Sequence, residues 1–302
     1  MTPSPDVRGS EYSSDPPSLL SDKPAVEKQS VRWALLIEYD GTDYVGWQRQ
    51  TNGISIQQRL EEALERLLGH PVRVHGAGRT DAGVHALGQV AAFTTSRDFP
   101  PETVVRGTNA HLDAAIRVRD ARCVAAEFDP RRDARLRHYR YHLLRGRSAP
   151  ALGRREMAWT HARMDWERAR EALDRLSGCH DFAAFRSRLC TARRTVLNLE
   201  RAELTTFSRG TAEPLPFSRA AEEDAVVACF DFECRSFLHH MVRYLVAIAV
   251  EIGKGRVSLD QLDACLAAGD RGGFQLAPAP PEGLCLLSVA YPRRWGLWES
   301  TE

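Results

Sequence analysis

Residues 78–86 read Gly78-Arg79-Thr80-Asp81-Ala82-Gly83-Val84-His85-Ala86, a single carboxylate among small residues, two glycines and one arginine. Glycine permits backbone conformations and close approaches that a side chain would block. An acid on such a loop, flanked by predicted strands, is displayed to a ligand instead of being packed away; the competing reading is a surface turn with an ordinary aspartate. His85 is near enough to serve as a base, but a lone loop histidine reads better as a structural hydrogen-bonding residue. Asp40 and Asp43 read as turn formers, since Asp bonds its own nearby backbone.

Two basic segments suit a nucleic acid. Between Arg131 and Arg147 there are seven arginines and one acid, Asp133. On the predicted strand Leu136–Arg145, Arg137, Tyr139 and Tyr141 share one face because side chains alternate. Guanidinium groups meet phosphates and aromatic rings stack on unpaired bases; the alternative is a solvated strand with its tyrosines in the core. A second cluster, Arg186, Arg188, Arg193 and Arg194, follows Phe182 and Phe185. Arg243 sits in an apolar helix four residues after His239, on the same face. A buried arginine needs an anion: either Asp81 or a structural partner such as Glu251 or Glu233.

The elements that must position these groups follow from pattern. Residues 1–30, rich in Ser, Pro and charge, read as a disordered tail. Trp33–Tyr39 reads as a buried strand. Ser55 and Gln58 form a capping box for a helix with the stripe Ile56, Leu60, Leu64, Leu67 and Leu68, closed by Gly69. Val72–Val74 and Gln89–Thr94 read as strands around the Asp81 loop, 102–111 as a helix and Ala115–Val124 as a strand. In the second half, Asp165 caps a helix, Thr195–Phe207 and Val226–Cys234 are strands joined by a polar loop at 208–224, Phe237–Ile252 is an apolar helix, Ser258 and Gln261 cap a helix at 259–268, and Leu284–Tyr291 is the last strand. This predicts two α+β units with largely antiparallel sheets, divided as 31–130 and 131–302.

The 302 residues carry 41 basic and 40 acidic side chains, so a partner must be recognised through local charge. Seven scattered cysteines form no C-x-x-C pair, which argues against a disulfide framework or structural zinc and for a reducing cytoplasm. The longest apolar run, Leu245–Val250, is too short to span a bilayer, and the first residues resemble no secretory signal.

The run at 78–86 is similar to the signature of the TruA family of tRNA pseudouridine synthases. The resemblance extends from about Trp33 to Pro292 through four further motifs in order: Glu38-Tyr39-Asp40-Gly41 with Gly46-Trp47-Gln48-Arg49-Gln50, His138-Tyr139-Arg140-Tyr141, Phe237-Leu238-His239-His240-Met241-Val242-Arg243, and Glu282-Gly283-Leu284. Departures fall at Phe128-Asp129-Pro130-Arg131-Arg132-Asp133, where the family usually has alanine at the Pro130 position and serine near Asp133.

The resemblance implies the pseudouridine synthase fold, two α+β halves sharing a central antiparallel sheet with flanking helices. It implies isomerisation of uridine to pseudouridine at positions 38–40 of the tRNA anticodon stem-loop, by a cytoplasmic homodimer. Asp81 becomes the nucleophile, Arg243 its partner, Tyr139 the ring against the target base, and Arg79 the group that fills the space of the extruded nucleotide. Phe128, Arg131, Phe185, Arg186 and Arg188 become RNA contacts. No cofactor and no metal are expected: the isomerisation consumes no reagent, and no cluster of ligands with metal spacing is visible. Two other classes compete. A non-catalytic RNA-binding protein on this scaffold would not need Asp81, and a glycosidase would need a second carboxylate, which no motif supplies.

Overall fold

The computed structural model describes residues 30–208, 225–271 and 275–301; the tail read over 1–30 and the loop over 208–224 fall almost wholly outside these. In chain order the elements are β1 (Val31–Tyr39), α1 (Ile56–Leu68), β2 (His75–Gly76), β3 (His85–Thr95), α2 (Pro101–Asn109), β4 (Ile116–Val124), β5 (Leu136–Arg145), β6 (Ala158–Thr160), α3 (Trp166–Leu176), β7 (Gly178–Asp181), β8 (Val196–Ser208), β9 (Val226–Cys234), α4 (Met241–Gly253), α5 (Leu259–Ala268), β10 (Leu284–Pro292) and β11 (Glu299–Thr301).

The strands form one eleven-stranded sheet in the order β4-β1-β3-β10-β5-β9-β8-β7, with β2, β6 and β11 attached to β3, β5 and β10. The expected mixed α+β architecture with a central, mostly antiparallel sheet is what forms. The main exception positions the site: β10, from the end of the chain, lies between β3 and β5 and runs parallel to β3, pairing Cys285 with His85 and Leu286 with Ala86. On its other edge it pairs antiparallel with β5, Leu286 opposite Tyr139. One strand thus sets the register between the end of the Asp81 loop and the tyrosine strand.

Several local forces are those expected. Ser55 accepts from Gln58 N at 3.2 Å and Gly69 ends α1 at φ 76°. The Gln58 amide goes to Glu62 instead of back to the cap, so the reciprocal box expected there is absent; α5 has both halves of its box, Ser258 with Gln261. The strand expected at Val72–Val74 does not form. Val74 N–H donates to Glu61 and its carbonyl accepts from the Gln57 amide, so side chains of α1 take the bonds a neighbouring strand would have made. The apolar helix expected from Phe237 begins four residues later, at Met241, because His240 is left-handed at φ 63°.

Across β5 and β9 the non-tyrosine face carries a buried acid. Asp231 lies 2.6 Å from His138 Nε2 and accepts from Arg140 Nε at 2.9 Å. Burial raises its carboxyl pKa, but those two partners more than offset this and hold it below the usual aspartate range. A depressed folded pKa means the stabilisation is present above the unfolded value, about 3.9, and is lost as pH falls through the folded one. Asp231→Asn should therefore lower stability at neutral pH by about 3 kcal/mol, the lower end for breaking a buried pair, and the difference from wild type should shrink on acidification. Urea unfolding at several pH values measures both; a constant difference would contradict this account.

Candidate active site

The Asp81 loop is held from behind by the segment after β1. Trp47 N donates to Thr80 O at 3.0 Å, Gly83 N donates to Tyr44 O at 3.3 Å, and the Thr80 and Tyr39 hydroxyls share a 2.8 Å bond. Gly46 has φ 103°, and a Cβ there would stand 2.6 Å from Thr80 O, so only glycine allows this approach. On the loop itself Gly83 has φ 77°, and an added Cβ would meet Pro281 at 3.1 Å. Gly78 has no such positive φ, so the freedom expected of it is not used. Gln89 anchors the loop's other end by donating to Gly78 O at 2.9 Å. The early motif at 38–50 thus buttresses the loop. Asp40 forms its expected turn with Thr42 and lies 3.2 Å from His85, whose Nδ1 accepts from Gly41 N at 3.1 Å.

With the loop fixed, the Asp81 side chain is 19% exposed and faces the approach to α4. Arg243 Nη1 lies 3.6 Å from Oδ2, His240 Nε2 3.5 Å from Oδ2, and His239 Nε2 3.5 Å from Oδ1. Arg243 is oriented by donating Nε to Ala279 O at 2.6 Å, while its own carbonyl accepts from Ala279 N. Its alternative partners are engaged elsewhere: Glu251 with Lys254 and Arg256, Glu233 with Arg201 and His138. Burial lowers the pKa of His240, and His239 and Arg243 add to this against the pull of Asp81.

Tyr139 lies in the same cleft, its ring edge-on to Phe237 at 5.2 Å. Burial pushes its phenol pKa upward, and the Asp81 charge adds to the shift despite the opposing pull of Arg137. Arg79 is exposed and has no ion pair or hydrogen bond among the described residues. The sequence motifs had given roles to Asp81, Arg79, Tyr139 and Arg243 but none to His239 or His240. The spacing of His239 from Arg243 was a signal for the first; the left-handed turn that aims His240 had none.

Asp81, His239 and His240 also correct the expectation that no metal-spaced cluster exists. One donor atom from each lies within 4.8 Å of the others. The Arg243 guanidinium beside the same carboxylate opposes a divalent cation there.

The RNA contacts expected from sequence divide. Arg131 and Arg188 are exposed and Arg186 is half-buried, with Nη1 donating to Ala192 O at 3.0 Å. Arg186 and Arg188 border a cavity of about 910 Å³ that Arg271 and Tyr244 also line. Ser187, between the two arginines, donates its N–H to His239 O, joining this loop to the cleft. Phe128 and Phe185 do not fit the expectation. Phe185 is 0% exposed, and Phe128, 1% exposed, packs against Tyr291 and Trp295 at 5.3 and 5.1 Å. Neither offers a ring face to a base; both are core residues. Tyr141, 1% exposed, is likewise core.

The family model described as tRNA pseudouridine synthase matches residues 35–131 and 172–292. The chain is 40% identical over 257 residues to tRNA pseudouridine synthase A of Geotalea uraniireducens, covering 85% of this chain and 98% of the relative. It is 43% identical over 270 residues to the protein of that name from Dechloromonas aromatica (88% and 95% covered) and 38% identical over 271 residues to that of Neisseria meningitidis serogroup B (89% and 95% covered). Among the described residues no helix is long and apolar enough to cross a membrane. A loop-borne carboxylate faced by an arginine and two histidines from a second element, on this sheet and in a chain so similar to these enzymes, leads to one conclusion: the chain belongs to the tRNA pseudouridine synthase family of isomerases.

Proposed function

We propose that this chain converts uridine to pseudouridine at positions 38, 39 and 40 of the tRNA anticodon stem-loop, with Asp81 as nucleophile. The observation that carries the reading is the Asp81 carboxylate, held on a braced loop with Arg243 at 3.6 Å. The 3.6 Å separation is too long for a tight hydrogen bond that would quench its reactivity. The C1′–N1 bond of the uridine breaks, the uracil turns, and C5 bonds to C1′; the C5 proton is lost and N1 gains one. Nothing is oxidised, and the chemistry calls for neither cofactor nor metal.

Tyr139 packs beside the target base as a neutral phenol, since burial opposes its ionisation. Arg79, exposed and unpaired among the described residues, takes the place of the extruded nucleotide. The working form is a cytoplasmic homodimer in which tRNA leans on both subunits; sedimentation at twice the chain mass checks the dimer. The catalytic loop belongs to the unit at 31–130, and the arginine and histidines facing it to the unit at 131–302.

Mapping pseudouridine in an unmodified tRNA incubated with the purified chain tests the site. Asp81→Asn should abolish isomerisation and leave tRNA binding within about twofold, because the change removes charge and nearly preserves shape. Product at near wild-type rate from that variant would remove the nucleophile assignment. Arg243→Leu should lower turnover about 100-fold, the scale for removing one preorganised charged donor, with smaller change in tRNA affinity; a loss confined to affinity would make Arg243 an RNA contact instead.

Recognition rests on localised arginines, since the net charge is only +1. Replacing Arg186 and Arg188 with glutamine should flatten the dependence of log affinity on log salt by about 1.5, given about 0.7–0.9 per neutralised phosphate. The loss should be similar for tRNAs of different sequence around the target, because phosphate contacts position without specifying. A salt series of binding measurements with an unchanged slope would move the RNA surface elsewhere.

A further inference from the structure

Arg137, on β5 two residues before Tyr139, is 7% exposed and has no ion-pair partner among the described residues. Its donors end on three backbone carbonyls. Nε and Nη2 reach Ala77 O at 3.3 and 2.5 Å, Nη2 also reaches Arg131 O at 3.1 Å, and Nη1 donates to Arg235 O. Burial disfavours the charge on this side chain.

A buried cation without an anion is an expensive way to fill space, and an apolar side chain of similar volume serves packing better. What a guanidinium adds is a planar fork that fixes several acceptors at set angles. The acceptors here come from separate stretches of chain. Ala77 immediately precedes the loop that carries Asp81. Arg235 follows β9 and opens the turn that carries Phe237, His239 and His240 into α4, and hence Arg243. Arg131 begins the basic segment leading into β5. Gly78, next to Ala77, lies over the same side chain: a Cβ there would be in ordinary contact with Arg137 Nε at 3.5 Å and the Tyr139 hydroxyl at 3.8 Å.

We infer that Arg137 is a positioning residue for the isomerisation, a clamp that sets the distance between the Asp81 loop and the turn bearing His239 and His240 and leading to Arg243. This rests on Asp81 being the nucleophile. Arg137 is buried beneath the loop, so it acts on the geometry of the reacting carboxylate and not on the grip on tRNA.

The test separates turnover from binding. Arg137→Met fills the volume without charge or fork. It should lower single-turnover isomerisation about 100-fold, the scale of an ångström-sized misplacement, with tRNA affinity within about twofold of wild type. Arg137→Lys keeps the charge and loses the fork, and should remain at least about tenfold slow; it also decides the matter if the methionine variant does not fold. Wild-type turnover in Arg137→Lys would show that charge alone suffices and overturn the clamp, as would turnover within threefold of wild type in folded Arg137→Met. A loss of tRNA affinity matching the loss of rate would also overturn it. Asp81→Asn, measured alongside, keeps the two readings apart. Its activity would remove the nucleophile whatever the Arg137 variants do, whereas an inactive Asp81→Asn with full-rate Arg137 variants removes only the clamp.

Discussion

On the proposed reading of Asp81 as nucleophile, its carboxylate must be charged, partly dry and not saturated with hydrogen bonds. These conditions conflict, because burial disfavours the charge and the usual remedy is a set of short hydrogen bonds. Here the conflict is met by separation. Asp81 has three cationic or potentially cationic groups at 3.5–3.6 Å, all from the approach to α4 or from α4 itself, while its own loop supplies backbone rigidity. Charge and rigidity come from different parts of the chain, so the site exists only if those parts are held in register.

That requirement gives meaning to features that otherwise look incidental. The last long strand, β10, enters the middle of the sheet and pairs on one edge with β3 at the end of the Asp81 loop and on the other with β5 at Tyr139. Just before it, Pro281 touches the space above Gly83, and Pro280 O accepts from the Tyr141 hydroxyl at 3.0 Å. Ala279, one residue earlier, exchanges backbone and side-chain bonds with Arg243. The stretch 279–286 therefore touches the loop, the tyrosine strand and the cation helix in succession. The motif Glu282-Gly283-Leu284 sits in a connector between the parts of the site.

What the sequence made legible is what depends on local chemistry. The helix stripe of Ile56, Leu60 and Leu64, the αL glycine at 69 and the Ser258 box are decided within a few residues, and they form as read. Misreadings occur where a distant group supplies a bond. Val74 satisfies its backbone on Gln57 and Glu61, so the Val72-Arg73-Val74 stretch that reads as a strand is not one. Phe185 stands beside Arg186 in sequence, which suggested a stacking surface, and Phe128 is an expected RNA contact through the family resemblance alone. Their neighbours in space are core side chains, which sequence spacing does not reveal. The parallel insertion of β10 is likewise a long-range choice with no local signature.

His240 shows most clearly how a local departure serves a distant need. It is the only non-glycine with positive φ among the described residues, a conformation that is uncommon for a bulky side chain and costs energy. The apolar pattern from Phe237 onward would continue a helix, and an earlier helix start would direct residues 239 and 240 along its own surface. The left-handed residue breaks that continuation. His239 and His240 instead stand with ring centres 4.1 Å apart, both directed at Asp81, and Arg243 follows within the first turn of the shortened helix. The bonds around the break favour this turn: Met241 N donates to Leu238 O, and His239 O accepts from Ser187 N on the arginine loop. The strain is thus stored where one short turn has to present three nitrogen-bearing side chains to a single carboxylate while remaining tied to the basic loop through Ser187.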